Sequence, residues 1–198
     1  AAHFWKTATV NTFNLIIVVA ALSMEAFSSM YINGFLNDRA TSWKEKARLV
    51  LLVAFAATVM AALGYFTGEI LSAILSEFAT GLSTGILFII GLKMIIKSFK
   101  PRFREMTWEL TQPMVALAFS VALGINPFLL GLALPGLTVG ILPFLVAVAT
   151  VFFVSALLAV IFGMKSTKFL LGARLTLGGG VVIAGSAIYY IIRDFNLI

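Results

Sequence analysis

Six long apolar stretches constrain this chain more than any other feature of its sequence. Each one approaches or exceeds the roughly 20 residues that an α-helix needs to cross about 30 Å of hydrocarbon. Numbered as segments 1 to 6, they cover residues 14–36, 47–69, 79–98, 113–134, 141–163 and 170–192. They use most of the 198 residues, of which 61% are hydrophobic. The sequence therefore predicts an all-α integral membrane protein with six transmembrane helices.

The basic residues lie on alternate connections between these segments. Twelve of the fourteen Lys and Arg residues fall in or beside the connections that follow segments 1, 3 and 5, whereas residues 70–78 and 135–140 contain none. This is the positive-inside pattern, and it predicts both chain termini outside. The net charge of +6 then reflects orientation in the lipid bilayer, and no nucleic-acid partner is expected.

The two halves of the chain resemble each other weakly. The charged, proline-containing stretch 100–105 separates a first repeat, residues 1–100, from a second repeat, residues 101–198. Three helices in each half put the second half into the membrane upside down, which predicts two inverted three-helix repeats. When residues 21–27 are placed on residues 122–128, Glu25 falls opposite Asn126. Transporters built in this way bind their substrate near the midplane, between the repeats.

Glu25 is the strongest candidate for a functional residue. It lies near the middle of segment 1, where an ionisable side chain is costly and marks a functional site by default. Ser28 and Ser29 share its helix face. Such a stripe of oxygen atoms suits a hard cation or a proton relay. The structural alternative is a protonated Glu25 that is hydrogen-bonded to a neighbouring helix.

The Asn126-Pro127 pair in segment 4 is the second candidate. Pro127 cannot donate a hydrogen bond to the carbonyl of Leu123, so the helix is expected to kink or open there, and Gly124 eases the break. Freed carbonyl groups beside the Asn126 amide could coordinate a cation or a polar substrate. The alternative is a proline kink that only shapes the helix bundle.

Lys93 and several glycines complete the set of candidates. Lys93 either extends to the headgroups or neutralises Glu25. The Gly64-x-x-x-Gly68 and Gly81-x-x-x-Gly85 patterns predict close helix packing, with a homodimer face as the alternative. The chain has no cysteine and no nucleotide-binding loop, and no nucleophile-base pair is evident, so an enzyme is not expected. No cofactor is expected either.

Two motifs resemble the manganese efflux pumps of the lysine-exporter superfamily. Residues 23–27 read Ser-Met-Glu-Ala-Phe where that family has Ser-Met-Asp-Ala-Phe. Residues 91–96 contain the Gly, basic residue, Met and Ile of its third helix. The chain departs from the family at Asn126, where the family repeats its Asp, and at Lys97, where an acidic residue is common.

The resemblance implies a multi-pass protein of the bacterial inner membrane. It further implies a secondary exporter of a divalent metal cation such as Mn²⁺, with Glu25 and Asn126 as metal ligands and alternating access as the mechanism. Bound Mn²⁺ would be a substrate. Two alternatives stay open: an exporter of a small polar or amino-acid-like metabolite, and a non-transporting, degenerate membrane homologue.

Overall fold

Six α-helices account for most of the described structure. The computed structural model describes residues 12–36, 42–75, 78–99, 110, 112–137, 139–163 and 170–194. The helices are α1 (Thr12–Leu36), α2 (Trp43–Ile74), α3 (Ala79–Phe99), α4 (Pro113–Ala133), α5 (Ile141–Gly163) and α6 (Leu170–Asp194), with a short 3₁₀ turn at Pro135–Leu137. All six are long and apolar enough to cross a membrane. The predicted all-α membrane class is confirmed.

Helix α2 begins earlier than the apolar pattern predicts, at Trp43 rather than at residue 47. A capping box explains the difference. The Ser42 hydroxyl accepts a hydrogen bond from the Glu45 backbone N–H, and the Glu45 carboxylate accepts one from the Ser42 backbone N–H. The 32 residues of α2 give a length of about 48 Å. Because this exceeds the hydrocarbon thickness, α2 must tilt or project from it.

Helix α1 is the most enclosed element of the bundle. In its membrane span 72% of the residues are buried, against 39–44% in the other five spans. It packs on α5 and α6, while α2 packs on α4 and α5, and α3 packs on α4 and α6. If α1 is exchanged with α4, α2 with α5 and α3 with α6, the same set of packed pairs results.

Glycines permit the closest of these contacts. Gly64 and Gly68 of α2 face backbone carbonyl oxygens of α4 so closely that a Cβ atom would not fit at either position. The close packing predicted for this pair is confirmed. For Gly81 and Gly85 it is wrong, because a Cβ atom at either residue would meet nothing within 4 Å.

Candidate functional site

Glu25 lies where α1 meets α3 and α4. The residue is 6% exposed and is the only buried acidic or basic residue in the described part of the chain. Each carboxylate oxygen accepts one hydrogen bond. The Lys97 ammonium lies 2.9 Å from Oε1, and the Asn126 amide nitrogen lies 2.5 Å from Oε2. The carboxylate is therefore covered by groups from two other helices.

Asn126 connects Glu25 to a second lysine. Its amide donates to the carboxylate, and its Oδ1 accepts a hydrogen bond from the Lys93 ammonium at 2.7 Å. Helix α4 stays helical from Pro113 to Ala133, so the opening expected at Pro127 does not occur. A Cβ atom on Gly124 would lie 2.8 Å from the Met60 side chain, so this glycine serves the packing of α4 on α2.

Lys97, Glu25, Asn126 and Lys93 thus form a row of hydrogen-bonded polar side chains, with a lysine of α3 at each end. Lys93 and Lys97 are four residues apart and therefore share one helix face. Lys93 bonds Asn126 and Lys97 pairs with Glu25, so Lys97 makes the contact with the carboxylate that was expected of Lys93. Lys97 was not among the sequence candidates, although its spacing from Lys93 is the signal that could have identified it.

The other candidates, Ser28, Ser29 and Leu123, lie within one helical turn of Glu25 or Asn126. Ser28 and Ser29 are buried, and the Glu25 carboxylate beside them hydrogen-bonds to Lys97 and Asn126. Leu123 is half-buried and packs against both apolar clusters of the bundle. The predicted oxygen stripe of Glu25, Ser28 and Ser29 thus lies in the buried part of α1.

The charges of the row decide what it can bind. One carboxylate, one amide and two ammonium groups leave one positive charge in excess. Among the described residues there is no group of three or more His, Cys, Asp or Glu side chains that could hold a metal ion. Glu25 and Asn126 offer side-chain oxygens in this row, and each of these side chains has a lysine on one oxygen. A cation that took the lysine-bonded oxygens would have to displace both ammonium groups.

Comparison with known proteins identifies relatives along most of the chain. The family model described as "Putative manganese efflux pump" matches residues 40–191. A protein of Halalkalibacterium halodurans is 27% identical over 86% of this chain and 91% of its own length. A protein of Methanobrevibacter smithii is 30% identical over 87% of this chain and 96% of its own length. A protein of Photorhabdus laumondii is 26% identical over 87% of this chain and 90% of its own length. All three are named "Putative manganese efflux pump MntP".

No solved structure matches this chain. The family match over residues 40–191, which includes residues 91–96, confirms the predicted family, and the family description agrees with the predicted metal exporter. With six membrane-spanning helices, the chain is a multi-pass membrane protein. Alternating access and the role of Glu25 stay predictions.

Proposed function

The chain belongs to the family of putative manganese efflux pumps, and we propose that it exports a divalent cation such as Mn²⁺. The position of Glu25 supports this proposal most strongly. Its carboxylate is the one buried acidic group of the described residues, and it joins α1 to α3 and α4. Ionisable groups inside a membrane bundle mark ion pathways. Oxygen ligands suit hard divalent cations.

The cargo ligands are the oxygens of Glu25 and Asn126. The Leu123 carbonyl is a further acceptor. It lacks its usual partner in the helix because Pro127 has no N–H. Ser28 and Ser29, buried within one turn of Glu25, line the path. These groups belong to α1 and α4, the first helices of the two halves. The cation is cargo.

Alternating access between two inverted three-helix repeats, residues 1–100 and 101–198, moves the cargo. The packed helix pairs support this mechanism, because exchanging the first three helices for the last three reproduces the set. A site between α1 and α4 lies on the axis that such an exchange requires. Motion of one repeat against the other exposes Glu25 to each side in turn.

The protein lies in the inner membrane with both termini outside, as the positive-inside rule indicates. The natural absence of cysteine makes this directly testable with the single variants Ser42→Cys and Gly140→Cys. Both positions are exposed at helix ends. An impermeant maleimide should label Gly140→Cys in intact cells and Ser42→Cys only after the membrane is opened. Labelling of both in intact cells contradicts the topology.

The excess positive charge of the row favours a second candidate cargo, an amino-acid-like metabolite. Its carboxylate would bind the ammonium of Lys93, which has no acidic partner among the described residues. Its amine would replace Lys97 on Glu25. This cargo would be recognised through one anionic and one cationic group, whereas Mn²⁺ needs oxygen ligands alone.

Transport into proteoliposomes tests the proposed function. The purified protein is reconstituted around a Mn²⁺-sensitive dye, and influx is compared for wild type, Glu25→Gln and Glu69→Gln. Glu69 is an exposed residue of α2, so its variant is a matched control for the same chemical change. We expect Glu25→Gln to abolish Mn²⁺ flux and Glu69→Gln to retain it.

The same vesicles separate the two cargoes. Flux of radiolabelled amino acids that depends on Glu25, without Mn²⁺ flux, favours the metabolite exporter. Mn²⁺ flux that persists in Glu25→Gln contradicts the assigned site. Absence of flux for either cargo in a correctly inserted wild-type protein favours the non-transporting homologue.

A further inference from the structure

Lys97 has the position and the freedom to act as a substitute for the cargo. Its ammonium lies 2.9 Å from the Glu25 carboxylate, yet its side chain is 36% exposed whereas that of Glu25 is 7% exposed. The residue lies two positions before the end of α3, about 3 Å along the helix axis. A long lysine chain can reach the headgroups from there. Lys97 therefore has one favourable environment on Glu25 and another at the membrane surface.

A cation bound by Glu25 cannot share the carboxylate comfortably with this ammonium. Two positive charges at one carboxylate repel each other, and the repulsion is little screened inside a membrane protein. Lys93 adds a further ammonium on the adjacent Asn126. Binding of the cargo thus requires Lys97 to leave, and departure of the cargo lets Lys97 return.

We propose that Lys97 is a tethered cation that replaces the cargo on Glu25 in each transport cycle. This inference rests on the proposed function, and it adds a regulatory residue to the same site. With Lys97 in place, the carboxylate is neutralised while the site without cargo reorients, which avoids moving an unpaired charge through hydrocarbon. The competition also sets the affinity. If Lys97 occupies Glu25 about nine-tenths of the time, the apparent affinity for the cation falls about tenfold.

Binding and transport of Mn²⁺ should therefore change in opposite directions when Lys97 is replaced. Dissociation constants are obtained from the rise in melting temperature with Mn²⁺ concentration, since a ligand of the folded state stabilises it by mass action. We expect Lys97→Met to bind Mn²⁺ about tenfold more tightly than wild type, because Lys97 no longer occupies Glu25. Mn²⁺ flux through this variant in proteoliposomes should fall, because the empty site reorients slowly when the Glu25 carboxylate is unpaired.

Three further variants isolate the contact with Glu25. Lys97→Arg should bind Mn²⁺ more weakly than wild type, because a guanidinium can hold a carboxylate through two hydrogen bonds. Lys93→Met removes the same charge from the same helix but from Asn126, so its gain should be smaller. Adding Glu25→Gln to Lys97→Met should remove the gain altogether.

Two results would overturn the inference, and they are distinguishable. If wild type and Lys97→Met bind Mn²⁺ equally while Glu25→Gln does not bind, the export function stands and Lys97 is a spectator. If neither wild type nor Lys97→Met responds to Mn²⁺ while both remain folded, the proposed metal cargo fails as well. The Lys97–Glu25 pair is then a structural contact only.

A second, independent feature is a groove on the first turns of α2. It has a volume of ≈ 670 Å³ and is lined by Lys44, Ala47, Arg48, Leu51, Leu52 and Phe55. The basic residues lie at the helix start, and the apolar ones follow along the same stripe. Leu51 is 61% exposed and Phe55 is 69% exposed. The groove thus changes from cationic to apolar along the direction in which α2 enters the membrane.

The two cationic groups of this groove have no acidic partner among the described residues. Lys44 and Arg48 are exposed and lie within 4 Å of no described carboxylate. The nearby Glu45 carboxylate already accepts a hydrogen bond from the Ser42 N–H in the capping box. An anionic headgroup beside a hydrocarbon chain complements this distribution of charge and apolar surface.

We propose that this groove binds an anionic phospholipid, with its phosphate on Lys44 and Arg48 and an acyl chain along Leu51 and Phe55. The probe is phosphatidylglycerol added to the detergent-purified protein, with phosphatidylcholine as the neutral comparison. We expect phosphatidylglycerol to raise the melting temperature more than phosphatidylcholine does. The double variant Lys44→Gln/Arg48→Gln should remove the difference.

The control double variant Lys46→Gln/Arg174→Gln removes the same charge elsewhere. Lys46 lies over the Trp43 ring at 5.7 Å, and Arg174 is exposed on α6. The control should keep the response to phosphatidylglycerol. An equal loss in both double variants indicates general charge attraction and overturns the site. Equal stabilisation by inorganic phosphate also overturns it, because the acyl chain would then contribute nothing.

Discussion

The two lysines of α3 make contacts that look alike and differ in kind. Lys97 lies on Glu25 and Lys93 lies on Asn126, at 2.9 and 2.7 Å. The donors are the same, the helix is the same, and both acceptors are buried. The acceptors differ in charge, because Glu25 has a carboxylate and Asn126 a neutral amide. Opposite unit charges at about 4 Å attract by about 4 kcal/mol at an effective dielectric constant of 20, whereas a hydrogen bond from a charged donor contributes about 1.5–3 kcal/mol.

In the proposed mechanism, this difference makes the α1 side of the site the place where cations compete. Any cation near Glu25 gains from a full negative charge, so cargo and Lys97 contend for it. At Asn126 a cation interacts only with the dipole of a neutral amide, and it must also displace Lys93. In this mechanism Glu25 and Asn126, which the alignment of the two halves places opposite each other, perform unequal roles.

Asn126→Asp removes this inequality and should have the largest effect. A second carboxylate beside Glu25 raises the ligand charge that tunes dication affinity. We expect Mn²⁺ to bind about a hundredfold more tightly, which corresponds to about 2.7 kcal/mol. The measurement is the concentration-dependent rise in melting temperature. A folded Asp variant that ignores Mn²⁺ shows that Glu25 and Asn126 do not form one metal site.

Glu25→Gln tests how much the Lys97–Glu25 ion pair contributes to stability. The change leaves Lys97 without its anion, and breaking a buried ion pair costs about 3–5 kcal/mol. Because Lys97 is 36% exposed and can reach the surface, we expect a smaller loss, about 2 kcal/mol of unfolding free energy. Unfolding in mixed micelles measures it. Glu69→Gln is the control and should stay within about 0.5 kcal/mol of wild type.

Double-mutant cycles compare the two contacts directly and should show the smallest effects. For Glu25→Gln with Lys97→Met we expect a coupling energy of about 1.5 kcal/mol. For Asn126→Leu with Lys93→Met we expect about 0.6 kcal/mol, the usual value for polar contacts between membrane helices. Equal coupling energies in the two cycles would mean that the charge of the acceptor does not matter, contrary to the account.

Most of the fold could be predicted from the sequence because the bilayer imposes it. Six apolar segments of sufficient length fix six helices, and the structure places all six within a few residues of their predicted bounds. Helix α2 differs most from its predicted bounds. It starts four residues earlier, at Trp43, because of a polar capping box that hydrophobicity does not detect, and it ends five residues later, at Ile74. The packing of Gly64 and Gly68 followed from their spacing. The openness of Gly81 and Gly85 did not, since spacing alone does not say which helix face is covered.

The candidate site was predictable only in part. Alignment of the two halves placed Glu25 opposite Asn126, and the structure brings these side chains together. It could not assign Lys97 to Glu25, because a lysine near a helix end usually anchors to headgroups. The direction of a flexible side chain depends on the neighbouring helices, and a one-dimensional pattern does not contain them. The function of these residues stays a prediction.

The reactivity of the Lys97 amine tests the central claim, that cargo and Lys97 compete for Glu25. The folded protein is acetylated briefly with and without saturating Mn²⁺, and mass spectrometry follows each lysine, with the exposed Lys44 as reference. We predict that Mn²⁺ increases acetylation of Lys97 in wild type and leaves it unchanged in Glu25→Gln. If Mn²⁺ binds wild type through Glu25 and the reactivity of Lys97 stays the same or falls, the ammonium does not leave and the account is contradicted.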